Sequence, residues 1–483
     1  MTAAPIIDRR TMSTGRMYLF GVHASGPLVV FIGAIAAAYA VSGSPGLPLA
    51  FLLVAAVLAV LAEGYAVMSR RVPHGAPYYA VIARGLGRAA GVAAGFVALA
   101  GYNAILCCMY GLFGGYLAQV VFGGWWWCYA LIAWVGVLLL GVRPVVVSSW
   151  LLVVSLTVAV LIIGALMVAA FTHPAGGHVT GEGYTWHALH LGNVASALVM
   201  CVASLMGFEG TATFSTEAVQ ARGPRRAIRC TILTLGLGYS AMAWAVETAN
   251  GPDRVAALSA DVHVQVPLNT MTDVYGFLMG PAAQLAAVFG MFATMLSVHA
   301  IAARYGYAMA VEQVLPAGVG HTGRDGLQGS PVGGSKLQSG IGLILILGFA
   351  VSGADPMTTM FPELATFGAL ALVLLSCAAA LAAMTYLRRD DGVWARWIAP
   401  LLGLPAGGGL LVVMLTHSSD LLQSRPGSIL PVLIPLLLVG VAVAGVVWAL
   451  CLAAARPEAY DRISYGVPGR LETPDRRLTP MDL

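Results

Sequence analysis

Glu209 is a carboxylate set in Ser204-Leu205-Met206-Gly207-Phe208-Glu209-Gly210-Thr211-Ala212-Thr213, in a stretch otherwise apolar enough to cross a bilayer. An ionisable group at membrane depth costs several kcal/mol unless it is paired or faces water, so it marks a pathway or a binding site. Gly207 and Gly210 bracket it. Glycine lets the backbone leave helical geometry and expose N–H and C=O groups that a continuous helix would use internally. Such a carboxylate can meet a cation or exchange a proton, and the freed backbone can hold a polar solute. A second interruption is written into His23-Ala24-Ser25-Gly26-Pro27, where Pro27 removes a donor and Gly26 relaxes the steric limits. Matched interruptions in the first and sixth apolar segments are the sequence pointer to a transporter site. His23 has an intrinsic pKa suited to proton coupling, or serves as hydrogen-bonded structure.

Three further sets of side chains are candidates. Asn103, Cys107 and Tyr110 recur at i, i+4 and i+7, which places them on one helix face for packing or for lining the site. Thr294 and Ser297, at i and i+3, offer hydroxyls to a sodium ion, although hydroxyls in membrane helices commonly bond their own backbone. Phe208 is either a gate over a solute or a packing aromatic. Arg304 is expected to snorkel or to pair with Glu217 or Glu312.

These residues need a membrane scaffold, and the composition supplies one. Of 483 residues, 59% are hydrophobic and only 10% charged, outside the range of soluble domains. Apolar runs of the ~20 residues that span a bilayer begin near Tyr18, Leu47, Ala89, Trp125, Val145, Val194, Ile228, Phe277, Leu337, Phe361, Trp397 and Leu430. Twelve helices are therefore expected, the fourth and ninth being the shortest. Arginines alternate between the loops. Arg9, Arg10 and Arg16, then Arg70, Arg71, Arg84 and Arg88, Arg143, then Arg222, Arg225, Arg226 and Arg229, Arg324 with Lys336, and finally Arg388, Arg389 and Arg396 all fall on one side. Only Arg254 and Arg425 fall on the other, so both termini are expected in the cytoplasm. The net charge of +4 follows from this topology and calls for no nucleic acid. Met1 to Arg16 is polar, and no cleavable leader is expected.

Other features read simply. Six of the seven cysteines (Cys107, Cys108, Cys201, Cys230, Cys377, Cys451) lie in or at the ends of apolar segments without ligand spacing, as small core residues. His173, His178, His187 and His190 are irregularly spaced without an acidic or cysteine partner, so neither a metal nor a cofactor is expected. Trp125-Trp126-Trp127 reads as an interfacial belt. No HExxH, GxSxG or paired aspartates occur at membrane depth, which disfavours a membrane-embedded enzyme. A GxxxxGK[ST] loop is also missing, which disfavours a self-contained ATP-driven pump.

The run Ala62-Glu63-Gly64-Tyr65 through Ser69-Arg70-Arg71-Val72-Pro73-His74-Gly75-Ala76-Pro77-Tyr78-Tyr79 to Arg84-Gly85-Leu86-Gly87-Arg88 resembles the loop between helices two and three of permeases in the amino acid, polyamine and organocation (APC) superfamily. Gly207-Phe208-Glu209, Ser215-Thr216-Glu217-Ala218 and Pro224-Arg225-Arg226-Ala227-Ile228 are similar to that superfamily's sixth-helix pattern. Arg304-Tyr305-Gly306-Tyr307-Ala308-Met309-Ala310, with Leu315-Pro316 and Ser330-Pro331, resembles the end of its helix eight. The resemblance implies an all-α membrane protein with a five-plus-five inverted repeat, broken helices one and six, and two peripheral helices. It implies transport of an amino acid or related amine by alternating access, proton-coupled, sodium-coupled or by exchange, or a transport-inactive solute sensor on the same fold. Ser25, Gly26, Gly207, Phe208, Glu209 and Gly210, with Asn103 and Tyr110, are then the substrate-site candidates. Glu209 and His23 are the proton-coupling candidates, and Thr294 and Ser297 the possible sodium ligands. Two departures stand out. Where many members carry a glycine, small residue, glycine run, this chain reads Ser25-Gly26-Pro27, and Ala203 takes the place of a gating tryptophan found in arginine and agmatine exchangers. Val145 to Phe171 holds no ionisable side chain, so no tethered lysine can stand in for sodium. The expected divisions are a cytoplasmic tail at 1–15, a core at 16–390, two last helices at 391–455, and a disordered cytoplasmic tail at 456–483, in a multi-pass protein of the plasma membrane.

Overall fold

The computed structural model describes residues 11–261, 265–323, 330–422, 424 and 427–465. Arg9, Arg10, Arg324, Arg425 and the tail from 466 onward lie outside the described residues. Every named element is helical. The one β-type contact among the described residues is an isolated parallel bridge between Met12 and Ala218.

Ser13 starts α1 (Thr14–Ala24), its side chain accepting from the Arg16 N–H as an N-cap does. After Ser25 and Gly26 the chain resumes as α2 (Pro27–Val29), passes through a π-turn at Val30–Ala34 and ends as α3 (Ile35–Ser42). Then come α4 (Leu47–Arg71), α5 (Pro77–Leu86), α6 (Arg88–Tyr116), α7 (Trp126–Gly141) and α8 (Val145–Thr172). A short α9 (Trp186–His190) precedes α10 (Val194–Leu205), capped by the Asn193 side chain, and a 3₁₀ segment (Phe208–Glu217) follows. The second half holds α11 (Gly223–Asn250), α12 (Val255–Ala260), α13 (Val266–Tyr275), α14 (Met279–Val311), α15 (Val332–Ser352) and α16 (Phe361–Tyr386). It closes with α17 (Ala399–Thr416), α18 (Ser418–Leu422), α19 (Leu430–Ala455) and α20 (Pro457–Asp461).

Ten helical stretches among the described residues are long and apolar enough to cross a membrane, against the twelve expected. Two expected spans fall outside the ten for different reasons. Helix α7 has 16 residues, about 24 Å at 1.5 Å per residue. Helix α11 is long enough at 28 residues but carries Arg225, Arg226 and Arg229 in its first turns and Glu247 near its end. Buried face is distributed unevenly: α6 and α14 are the most enclosed spans, while α19 presents most of its surface outward. The main pairings are α4 with α11, α6 with α5, α16 and α19, and α14 with α6 and α15, while α1 packs on α11, α14 and the 3₁₀ segment, and α10 on α4.

Residues 457–465, expected in an unstructured tail, contain α20 and pack back on the body. Ser464 N–H donates to Glu312 Oε2 (2.9 Å), and the Arg84 guanidinium lies 3.7 Å over the Tyr465 ring. Burial of Ile463 and Ala459 supplies the apolar gain that holds this segment.

Candidate functional site

The two interruptions meet. Gly26 has φ of +63°, a left-handed conformation that favours glycine, and Pro27 restarts the helix without a donor of its own. Upstream, the Ser25 and Gly26 N–H groups donate to Val22 O (3.3 Å) and His23 O (3.0 Å), closing the end of α1. On the other segment, α10 stops at Leu205, Met206 is extended, and Gly207 has φ of +121°. A Cβ at Gly207 would lie 2.7 Å from the Ala24 carbonyl carbon and 2.8 Å from Ser25 N, so only glycine permits this approach. Ser25 Oγ donates to the Ser204 carbonyl (2.7 Å), one of the acceptors freed at the end of α10. Tyr239 of α11 braces the junction, its hydroxyl donating to Ser25 O (3.2 Å) and standing 3.1 Å from Ser25 Oγ.

Glu209 is fully buried two residues beyond this junction. Its Oε2 accepts from the Gly207 N–H (2.9 Å) and its Oε1 from the Tyr102 hydroxyl (3.3 Å). The Tyr65 hydroxyl donates to the Glu209 backbone carbonyl (3.0 Å). The Tyr65 and Tyr78 rings stack with centroids 4.7 Å apart, and those of Tyr102 and Tyr305 lie 5.3 Å apart. Tyr78 N–H in turn donates to the Tyr305 hydroxyl (3.1 Å). Four tyrosines from α4, α5, α6 and α14 thus enclose the carboxylate, which has no cationic partner among the described residues. Neutral donors satisfy the oxygens without cancelling the charge, so this carboxylate can bind a proton or face a cationic group.

The other expected residues are placed as follows. His23 is buried with Nδ1 2.9 Å from Leu19 O, a geometry in which Nδ1 must carry the hydrogen. Phe208 is buried within the 3₁₀ segment, and Thr211 Oγ1 donates to its carbonyl (2.8 Å). Gly210 faces the Ile301 side chain of α14. Asn103 donates to Leu99 O of its own helix (2.7 Å), while its buried Oδ1 has no hydrogen-bond partner among the described residues. Tyr110 lies eight residues farther along α6 than Tyr102, about 12 Å, with its ring beside Gly342 of α15. Thr294 Oγ1 donates to Gly290 O of its own helix (3.0 Å), yet it sits 3.2 Å from where a Gly26 Cβ would be. Ser297 Oγ instead crosses to α1 and donates to Phe20 O (2.6 Å).

The tyrosine ring went unassigned in the sequence reading. Tyr102 precedes Asn103, so a search along the face of Asn103, Cys107 and Tyr110 passes it by. The available clue was chemical: a tyrosine hydroxyl inside an apolar span needs a partner.

Beneath the junction lies a charged layer. Arg304 Nε donates to Glu217 Oε1 (2.7 Å), and the guanidinium stands 4.6 Å over the Phe214 ring. Of its two expected acceptors, Arg304 takes Glu217. Glu312 instead meets His74 Nε2 (3.0 Å), the Tyr79 hydroxyl and the Ser464 N–H. Met12 N–H donates to Glu217 O (3.0 Å) and Val219 N–H to Met12 O (3.0 Å), pinning the N-terminal strand of chain to the same spot. The histidines between α8 and α10 go to local partners: His178 to Gly176 O, His190 to Trp186 O and His173 to Thr172.

Among protein families, the one described as amino acid permease matches residues 11–461 of the chain. No curated protein matches it.

Proposed function

The chain belongs to the amino acid permease family, whose members are transporters and not enzymes, and from that premise we propose that it moves an amino acid or related amine by alternating access. The observation that carries this reading is the seating of Gly207 against the Ala24–Ser25 backbone, with the cation-free carboxylate of Glu209 two residues away. The N-terminus of α2 offers amides to a substrate carboxylate, and carbonyls at the end of α10 accept from an ammonium. Ser25, Gly26, Gly207, Phe208 and Gly210 line this junction in the proposal. Glu209 either meets the amine or exchanges a proton. The unpartnered Oδ1 of Asn103 is a further acceptor, Tyr110 extends the same wall, and His23 is the second proton candidate.

The ten apolar spans mark an integral, multi-pass membrane protein. Adding α7 and α11 to them gives the proposed twelve, with a five-plus-five inverted repeat over 16–390, broken first and sixth spans, and α17 and α19 as the last two. The arginine-rich loops support cytoplasmic termini, and a plasma-membrane location goes with the reading as a permease.

A second reading, sodium-coupled symport, is favoured by Thr294 beside Gly26 and Ser297 bonded to Phe20, hydroxyls of α14 set against α1.

Counterflow in proteoliposomes loaded in turn with amino acids and polyamines tests both. Entry of one labelled solute, accelerated by an inward proton gradient, supports symport through Glu209. Acceleration by sodium supports the second reading, and gradient-independent entry supports exchange. Binding without flux would replace transport by solute sensing. Neither flux nor binding would overturn the substrate class.

A further inference from the structure

Arg222, at the N-cap of α11, and Arg225, Arg226 and Arg229 in its first two turns recur at i, i+3, i+4 and i+7, along one side of the start of the helix. The same face continues into Leu233, Gly236 and Leu237. Beside it α4 offers Ala55, Ala56, Ala59 and Ala62, and these small residues leave a groove of about 420 Å³ between the helices. Its walls are apolar apart from Glu63 and Arg229, whose ion pair closes one end, and Arg226 and Arg222 follow about one and two turns farther along the same face. Ala56, Ala59, Leu233 and Leu237 are exposed along it, so the groove opens sideways, toward the bilayer.

Charge at that end is unbalanced. Glu63 accepts from Arg225 (2.9 Å) and Arg229 (2.5 Å), and Asp391 holds Arg71 (2.5 Å). Arg70 lies within electrostatic reach of Arg71, Arg222 and Arg225, and of Asp391 on the opposing side of the balance. Arg222 and Arg226 form no ion pair or side-chain hydrogen bond among the described residues, and both are exposed. An apolar groove with the exposed Arg226 and Arg222 beyond its ion-paired end fits an amphiphile with an anionic head. A neutral lipid would leave the arginines unmatched, and free phosphate would leave the groove unfilled. Basic pockets between helices on the cytoplasmic side are suited to acidic head groups.

We propose that an anionic phospholipid of the cytoplasmic leaflet binds between α4 and α11, with its phosphate at Arg222 and Arg226 and an acyl chain along Ala59 and Leu233.

The test is native mass spectrometry of the purified full chain titrated with phosphatidylglycerol and phosphatidylcholine of matched chains. The chain is expected to retain the anionic lipid preferentially. Each arginine near a membrane surface is worth roughly fivefold, so the double variant Arg222→Gln, Arg226→Gln should weaken that preference by about 30-fold. Replacing the same pair by lysine should keep most of it. Ala59→Phe, which fills exposed groove space, should weaken both lipids with the charges intact. Thermal unfolding in lipid-free detergent shows whether each variant is folded, and the lysine pair and Ala59→Phe decide the matter if the glutamine pair is not. Unchanged preference in the glutamine pair, no effect of Ala59→Phe, or displacement of the lipid by millimolar inorganic phosphate would each overturn the proposal.

Discussion

Glu209 and Glu217 stand near opposite ends of one 3₁₀ segment, both buried, in opposite electrostatic company. Glu217 grips Arg304 through two hydrogen bonds (2.7 and 3.2 Å). Glu209 has an amide, a tyrosine hydroxyl and no cation among the described residues. A buried charge with a guanidinium partner is a fixed part of the frame, since losing either member leaves the other uncompensated. A buried carboxylate held by neutral donors keeps its unspent charge for a proton or a ligand. The same residue type, eight positions apart, is thus paired with a guanidinium in one place and held by neutral donors in the other.

The comparison breaks most readily at the pair. Arg304→Met strands the Glu217 charge and should cost about 3–5 kcal/mol in thermal unfolding in detergent. Adding Glu217→Gln should recover most of that loss. A single variant as stable as the parent would remove Glu217 from the frame.

Next in size is Gly207→Ala. The methyl would press on the Ala24–Ser25 backbone at a positive φ, and strain with overpacking together suggest about 2–4 kcal/mol. Uptake by this variant should fall at least in proportion, because the two interruptions can no longer abut. Normal flux would show that their contact is dispensable.

Glu209→Gln should cost less stability, on the order of 1–2 kcal/mol, because one of two donors loses its acceptor. It should nevertheless abolish gradient-driven uptake in proteoliposomes while the purified protein remains folded. Retained uptake with unchanged pH dependence would take the carboxylate out of the mechanism.

Smallest is Tyr102→Phe, which deletes one neutral hydrogen bond worth about 1 kcal/mol. Here the sharper readout is the pH profile of uptake. The profile should differ from the parent's, since Tyr102 is the one side-chain hydroxyl bonded to the Glu209 carboxylate among the described residues, and an unchanged profile would show that this hydrogen bond plays no part in uptake.

These two carboxylates also show what could be read in one dimension. Glu209 and its glycines were legible because a charge inside an apolar run is a local anomaly. Arg304 announced a need for an acid, but with Glu217 and Glu312 both within the expected range only packing could choose between them. The ring of Tyr65, Tyr78, Tyr102 and Tyr305 was not legible as a unit, since its members come from four helices and no local period links them. The packing of residues 457–465 is hidden from the sequence for a related reason. A polar, proline-bearing stretch looks solvated until a surface that accepts Tyr465 and Ser464 is present.

By itself the sequence determined that this is a helical membrane protein with interruptions at Ser25–Gly26 and Gly207–Gly210, because hydropathy and backbone freedom are properties of short segments. Only the tertiary structure decided that the interruptions touch, that Glu209 sits among tyrosines, and that Glu217 takes the arginine. Those facts depend on distances between residues up to hundreds of positions apart, which are set by how whole helices pack and by no single stretch of chain.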